Sequence, residues 1–198
     1  MDIRPLGFIS EKYESGSGRL NSGTIANTKG DPGGKSYGVY QLALNTGTLK
    51  RYLDWSKYGK RFADIPIAGE EFDKTWKSLA ESEHESFASD QRTYIRYSHY
   101  APASRFAIQQ GFDINNRAIQ EALFSISVQH GGYKRIIREA RYRRKGLSIA
   151  QQINSLYDAR ESYVRGLNTL PDKIKLAIQA RYLMERKEVL ELAEQWEI

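Results

Sequence analysis

The chain contains no cysteine, only three histidines and five prolines, and no apolar run that approaches the length of a bilayer span. The missing cysteine removes disulfides, thiol nucleophiles and thiolate-bound metals together. His84, His99 and His130 are too few and too scattered for a histidine-built metal centre. No metal and no other cofactor is therefore expected. A transmembrane helix needs about 20 consecutive apolar residues, and nothing here comes close. The opening residues, MDIRPLGFISEKYESG, have neither the apolar stretch nor the small-residue cleavage site of a secretory leader. The expectation is a protein made in the cytoplasm without a signal peptide, which reaches the bacterial cell wall, if it works there, only after export or release by another factor.

What is present points to a folded chain. Its 198 residues carry a net charge of +6, are 40% hydrophobic and 12% aromatic, and include 13 tyrosines. That length and composition suit a single domain, residues 1–198, with a sizeable core rather than a disordered chain. Eight of the 16 glycines lie between Gly16 and Gly47. A linker would be equally rich in glycine but would not end in Tyr37, Val39, Tyr40 and Leu42. Residues 14–47 therefore read as a β-hairpin or meander, with tight turns at Lys29-Gly30-Asp31-Pro32-Gly33-Gly34.

Nearly everything else has helical period. Residues 4–13 place Leu6, Ile9 and Tyr13 on one stripe, 69–80 place Phe72, Trp76 and Leu79, and 83–97 place Phe87, Gln91, Tyr94 and Ile95. Residues 116–130 are apolar on almost all sides and carry no charge after Glu121, the pattern of a buried central helix. Ser148 and Gln151 form a capping-box sequence ahead of Ile149, Ile153, Leu156 and Tyr157. Pro171 opens a long amphipathic helix through Ala177, Ile178, Tyr182 and Leu190. The fold class expected is mostly α, with one small β element near the N-terminus.

Two carboxylates stand out for chemistry. Glu14 falls at the end of the first helix, where the negative end of the helix dipole disfavours ionisation, as a general acid requires. Asp31 lies 17 positions later, in the glycine loop. Each has an ordinary reading, a solvated helix end and a turn residue respectively. As a pair they suggest glycosidic hydrolysis, in which one acid protonates the leaving oxygen and the other carboxylate activates water or stabilises the oxocarbenium ion. Ser36-Tyr37-Gly38-Val39-Tyr40-Gln41-Leu42 follows, with hydroxyls and flat rings suited to a saccharide, although it reads equally as a plain strand.

Glu14-Ser15-Gly16, the glycine-rich loop and Gly38-Val39-Tyr40-Gln41-Leu42 together resemble soluble lytic transglycosylases and other lysozyme-superfamily enzymes. The longer string resembles phage endolysins and phage-tail or secretion-associated peptidoglycan-degrading domains, with chitosanase-like relatives. The resemblance implies an α+β lysozyme-like fold with a two-lobed cleft and cleavage between N-acetylmuramic acid and N-acetylglucosamine. It implies Glu14 as general acid and Asp31 as base or stabiliser, with Ser36, Tyr37, Tyr40, Gln41, Gln129 and His130 on the glycan and Tyr157 and Arg160 in support. Lytic transglycosylation, chitosanase-type hydrolysis and a non-catalytic glycan- or nucleic-acid-binding module are the alternatives.

One segment holds the charge imbalance. Residues 134–145, KRIIREARYRRK, contain seven basic residues and one acidic, which equals the net charge of the whole chain. Ile136, Ile137 and Ala140 make it amphipathic, with Arg138, Arg141, Arg143 and Arg144 facing outward. The partners expected are peptidoglycan strands and, through these arginines, an anionic cell envelope. No nucleic-acid-binding motif is present, and a monomer is expected.

Overall fold

The computed structural model describes residues 4–14, 22–28, 31–142 and 148–196. Among them the protein is mostly helical, with one small antiparallel sheet. It divides into two compact units, one formed by Glu11–Tyr97 and the other by Met1–Ser10 with Ser98–Ile198.

In the Glu11–Tyr97 unit, strands β1 (Ile25–Ala26), β2 (Ser36–Tyr37) and β3 (Leu42–Ala43) pair in that order, with Ile25 opposite Tyr37 and Tyr37 opposite Leu42. The expected β element is thus three very short strands joined by turns. Helices α2 (Thr48–Trp55), α3 (Glu70–Ser82) and α4 (His84–Ile95) complete the unit, with a 3-10 turn at Gly59–Phe62. Its core is aromatic. Trp76 is fully enclosed, with ring neighbours Tyr37, Tyr52, Phe62, Phe72 and Phe87 at centroid distances of 4.8–6.1 Å. The indole N–H, which needs a partner once buried, donates to the Ser22 carbonyl at 2.8 Å.

Helix α1 runs over Phe8–Glu14, not 4–13. Gly7 explains the late start: its φ is +97°, and a Cβ there would lie 2.6 Å from the Phe124 ring. A left-handed residue cannot continue a helix. The amides of Gly7 and Ile9 are instead accepted by the buried Glu121 carboxylate.

The second unit is built around α6 (Arg117–Gln129), in which Ala118, Ile119, Ala122, Leu123, Phe124 and Ile126 are all fully buried. Helices α5 (Ala101–Gln109), α7 (Tyr133–Tyr142), α8 (Ile149–Arg165) and α9 (Asp172–Trp196) surround it. Ser148 and Gln151 form the capping box that opens α8. Ile136, Ile137 and Ala140 form the buried face of α7. In α9 the buried positions are Tyr182, Glu185, Val189, Leu192 and Ala193, whereas Ala177 is exposed, so the stripe expected from sequence is rotated. A five-residue π stretch, Arg96–Tyr100, joins α4 to α5. Among the described residues, no helix is long and apolar enough to cross a membrane.

Candidate functional site

Glu14 is the last residue of α1, and its side chain lies outside the described residues, as do residues 15–21. One turn earlier, Glu11 is only 7% exposed. Its carboxylate accepts a short hydrogen bond from the Tyr40 hydroxyl and binds the Arg92 guanidinium, with Nε at 2.6 Å and Nη2 at 3.3 Å. Burial tends to lower the pKa of Arg92, but Glu11 outweighs it and raises it, so the guanidinium stays charged. This clasp fastens the last turn of α1 to α4 and to the turn between β2 and β3.

That turn is Gly38-Val39-Tyr40-Gln41, and its sequence follows from its geometry. Gly38 has φ +75°, and a Cβ there would fall 2.2 Å from Gln91 Oε1. Gln91, on the apolar stripe of α4, is fully buried because its amide serves the turn: Oε1 accepts the Val39 N–H at 3.1 Å and Nε2 donates to the Ser22 carbonyl at 3.2 Å. Gln41 adopts φ +50°, unusual outside glycine. Its side chain folds back, donating to the Gly38 carbonyl at 3.0 Å and accepting from the Ser36 hydroxyl at 2.7 Å. Ser36 and Gln41 therefore brace the turn.

Tyr37 is fully buried, its hydroxyl donating to Asp73 at 2.7 Å, and Lys35 joins the same carboxylate at 2.5 Å. Burial, reinforced by Asp73, pushes the Tyr37 phenol far above its usual pKa. Its ring is core, which corrects the expectation that it offers a face to sugar. Tyr40 is likewise enclosed, at 8% exposure, and engaged by Glu11. Asp31 is exposed and makes a turn: Oδ1 accepts the Gly33 N–H at 2.8 Å, and its carbonyl accepts the Gly34 N–H at 2.9 Å.

The remaining candidates belong to the other unit. Arg160 and Glu185 are both fully buried and paired at 2.8 Å. Arg160 also donates to Ser125 at 3.0 Å and to Gln129 at 2.8 Å, while Glu185 accepts the Tyr157 hydroxyl at 2.9 Å and Arg181 Nε at 3.3 Å. Burial alone would raise the Glu185 pKa, yet Arg160 and Arg181 outweigh it and hold it down at about 2. Tyr157 and Arg160 thus brace Glu185. His130 shares a 2.5 Å hydrogen bond with Tyr182, and burial, followed by the charges of Arg160 and Arg181, lowers its pKa to about 3. It is a neutral core histidine, which corrects its placement on the glycan.

On α7, Arg138 lies 5.8 Å from the Phe106 ring centroid and Arg141 donates to Gln110 at 3.2 Å. Arg143 and Arg144 lie outside the described residues. Among the described residues, no three His, Asp or Glu side chains are gathered in a way that could hold a metal ion.

A family model, type VI secretion system spike protein VgrG3-like, C-terminal, matches residues 6–186. The chain belongs to this family. Over 140 residues, 70% of this chain, it is 36% identical to the type VI secretion system spike protein VgrG3 of Vibrio cholerae serotype O1. The match covers 14% of that relative's length. Membership in the VgrG3-like family overturns the expected lysozyme-like phage endolysin, and with it the muramidase assignment and the bacteriophage setting. Among the described residues that suggested an endolysin, Glu14 ends α1 and Gly38–Gln41 form a turn, a local arrangement that does not name the protein carrying it.

Several residues of this arrangement were not picked out from sequence. Glu11 and Arg92 are 81 positions apart, so no local pattern links them. Gln91 did leave a signal, as a polar residue on an apolar stripe. Glu185 left the same kind of signal, lying one turn from Tyr182 and from Val189 on the buried face of α9.

Proposed function

We propose that this VgrG3-like domain is an enzyme, a glycoside hydrolase carried by a type VI secretion spike and acting on polysaccharide of a bacterial envelope. Peptidoglycan strands are the glycan to test first. The observation that carries the reading is the buried clasp of Glu11 with Tyr40 and Arg92. It holds the helix end that bears Glu14 against the polar 38–41 turn. A proton donor needs a fixed support, and the clasp fixes the backbone of the helix end. Glu14 would protonate the leaving oxygen, and Asp31 is the proposed second carboxylate. Family membership supports delivery by a type VI secretion spike as the route by which the domain would reach that envelope. The α7 arginines, Arg138 and Arg141 among them, would draw the domain toward an anionic envelope surface.

The test is release of reducing ends from purified peptidoglycan and from short soluble glycans by wild type and Glu14→Gln. Wild type should release them, and Glu14→Gln should be at least about 100-fold slower with an unchanged melting curve. Equal release by the two proteins removes Glu14 from its role. No release by wild type removes the hydrolase reading.

A further inference from the structure

The exposed side of α4 carries Ser86, Ser89, Asp90 and Thr93, which with Lys57 and Glu85 line a polar groove of about 490 Å3. One turn beyond Thr93, Tyr97 is 64% exposed and Trp55 is 40% exposed. Their rings are stacked, with centroids 6.1 Å apart and planes within 19° of parallel. Large rings dominate the core of this unit, so a stacked pair left in solvent beside a polar groove is a departure that calls for a ligand.

The pair is built from beneath. Trp55 packs on Tyr94 at 5.5 Å and Tyr94 on Tyr52 at 5.4 Å, and both tyrosines are buried. Tyr52 donates its hydroxyl to Asp90 at 2.9 Å, and the Ser56 hydroxyl makes a short hydrogen bond to the same carboxylate. The aromatic platform and the carboxylate of the groove therefore belong to one packed ladder. Little side-chain entropy remains to be lost when a ligand settles there.

We propose that this face is a glycan-binding site separate from the α1 end, taking an oligosaccharide of neutral or N-acetylated pyranoses. A pyranose has a C–H face and a rim of hydroxyls. The C–H face suits the electron-rich faces of Trp55 and Tyr97. The hydroxyls suit Asp90 as acceptor, and Ser89 and Thr93 as donors or acceptors. The groove volume is that of a site for a few sugar rings. Two carboxylates against one ammonium disfavour phosphate, which argues against nucleic acid on this face. The choice of an amino-sugar probe rests on the function proposed above, whereas the chemistry of the groove does not.

The full chain is titrated with the soluble β-1,4-linked tetramer of N-acetylglucosamine while the indole N–H resonances are followed by NMR. The Trp55 resonance should shift and saturate, and that of buried Trp76 should not. Tyr97→Ala should weaken the affinity read at Trp55 by at least about five-fold. Because Tyr97 is exposed, its melting curve and its turnover of a short soluble glycan should match wild type, while binding to insoluble peptidoglycan falls. A Trp55 resonance unmoved at roughly 10 mM tetramer overturns the site, as does one that titrates identically in Tyr97→Ala. A Trp55 shift in a protein that cleaves no glycan supports this site and refutes only the hydrolase reading. Cleavage with a silent Trp55 does the reverse.

Discussion

Arg160→Met separates the contribution of the buried ion pair from that of the packing around it. The substitution keeps an unbranched apolar stem but removes three hydrogen bonds, to Glu185, Ser125 and Gln129. Glu185 stays fully buried, with Arg181 at 3.3 Å and the Tyr157 hydroxyl at 2.9 Å as the partners that hold its charge. Breaking a buried pair from one side costs about 3–5 kcal/mol, because a charge is left without compensation. Arg181 remains, so the expected loss is at the lower end, ~3 kcal/mol. Domains of this size are stable by only about 5–15 kcal/mol, so the effect is large. Urea unfolding followed by circular dichroism reads it directly: at a slope of roughly 1–3 kcal/mol per molar, the midpoint falls by about 1–3 M. The diagnostic comparison is Arg160→Met with Glu185→Met. Removing both charges also removes the uncompensated one, so the double variant should be more stable than Arg160→Met alone by roughly 1–3 kcal/mol. A cost below about 1 kcal/mol for Arg160→Met, or a double variant that costs the sum of the singles, would refute the reasoning.

Acidification should destabilise the fold in a defined window. His130 has a pKa of about 3 in the fold against a free value of 6.5, so between these the unfolded chain binds a proton that the native chain does not. Stability should fall as pH drops through that range, by up to about 1.4 kcal/mol per unit. Glu185, held at about 2 against 4.5, adds a loss of the same sign below pH 4.5. A urea midpoint that does not change between pH 7 and pH 5 would contradict the histidine assignment. Gly38→Ala should lower stability by at least about 2 kcal/mol, because it combines a strained positive φ with a clash against Gln91. A melting temperature equal to wild type would show that the turn has another conformation available.

The clasp and the ladder show what could not be read in one dimension. Glu11, Tyr40 and Arg92 come from a helix, a turn and a second helix; Glu11 and Arg92 alone are unremarked polar residues, and Tyr40 reads as a contact for sugar. Their meeting is decided by how the aromatic core around Trp76 orients these elements. Small residues hid α5, which buries Ala103, Ser104 and Ala107 and presents no large apolar stripe to detect. Tyr37 and His130 were placed on a ligand because their residue types suit one. Burial reversed both, since a group enclosed by its own protein cannot also face a sugar.

The sequence by itself determined the properties that arise from local chemistry. Among them are the central helix, whose residues are apolar on almost every side, and the capping box at Ser148, where two side chains satisfy two orphan amides within four residues. The turn at Gly38–Gln41 does not belong here, because residues 36–42 read as a strand and it is the distant Gln91 that leaves no room for a side chain at Gly38. The tertiary structure decided which polar groups are spent on the fold and which are left for ligands. Gln91, Arg160 and Glu185 look like surface chemistry in a list of residues, yet they are consumed in the interior, whereas Trp55 and Tyr97 look like core and stand in water. The physical reason is that a side chain's role depends on which partners lie within about 3–4 Å, and those partners come from distant parts of the chain.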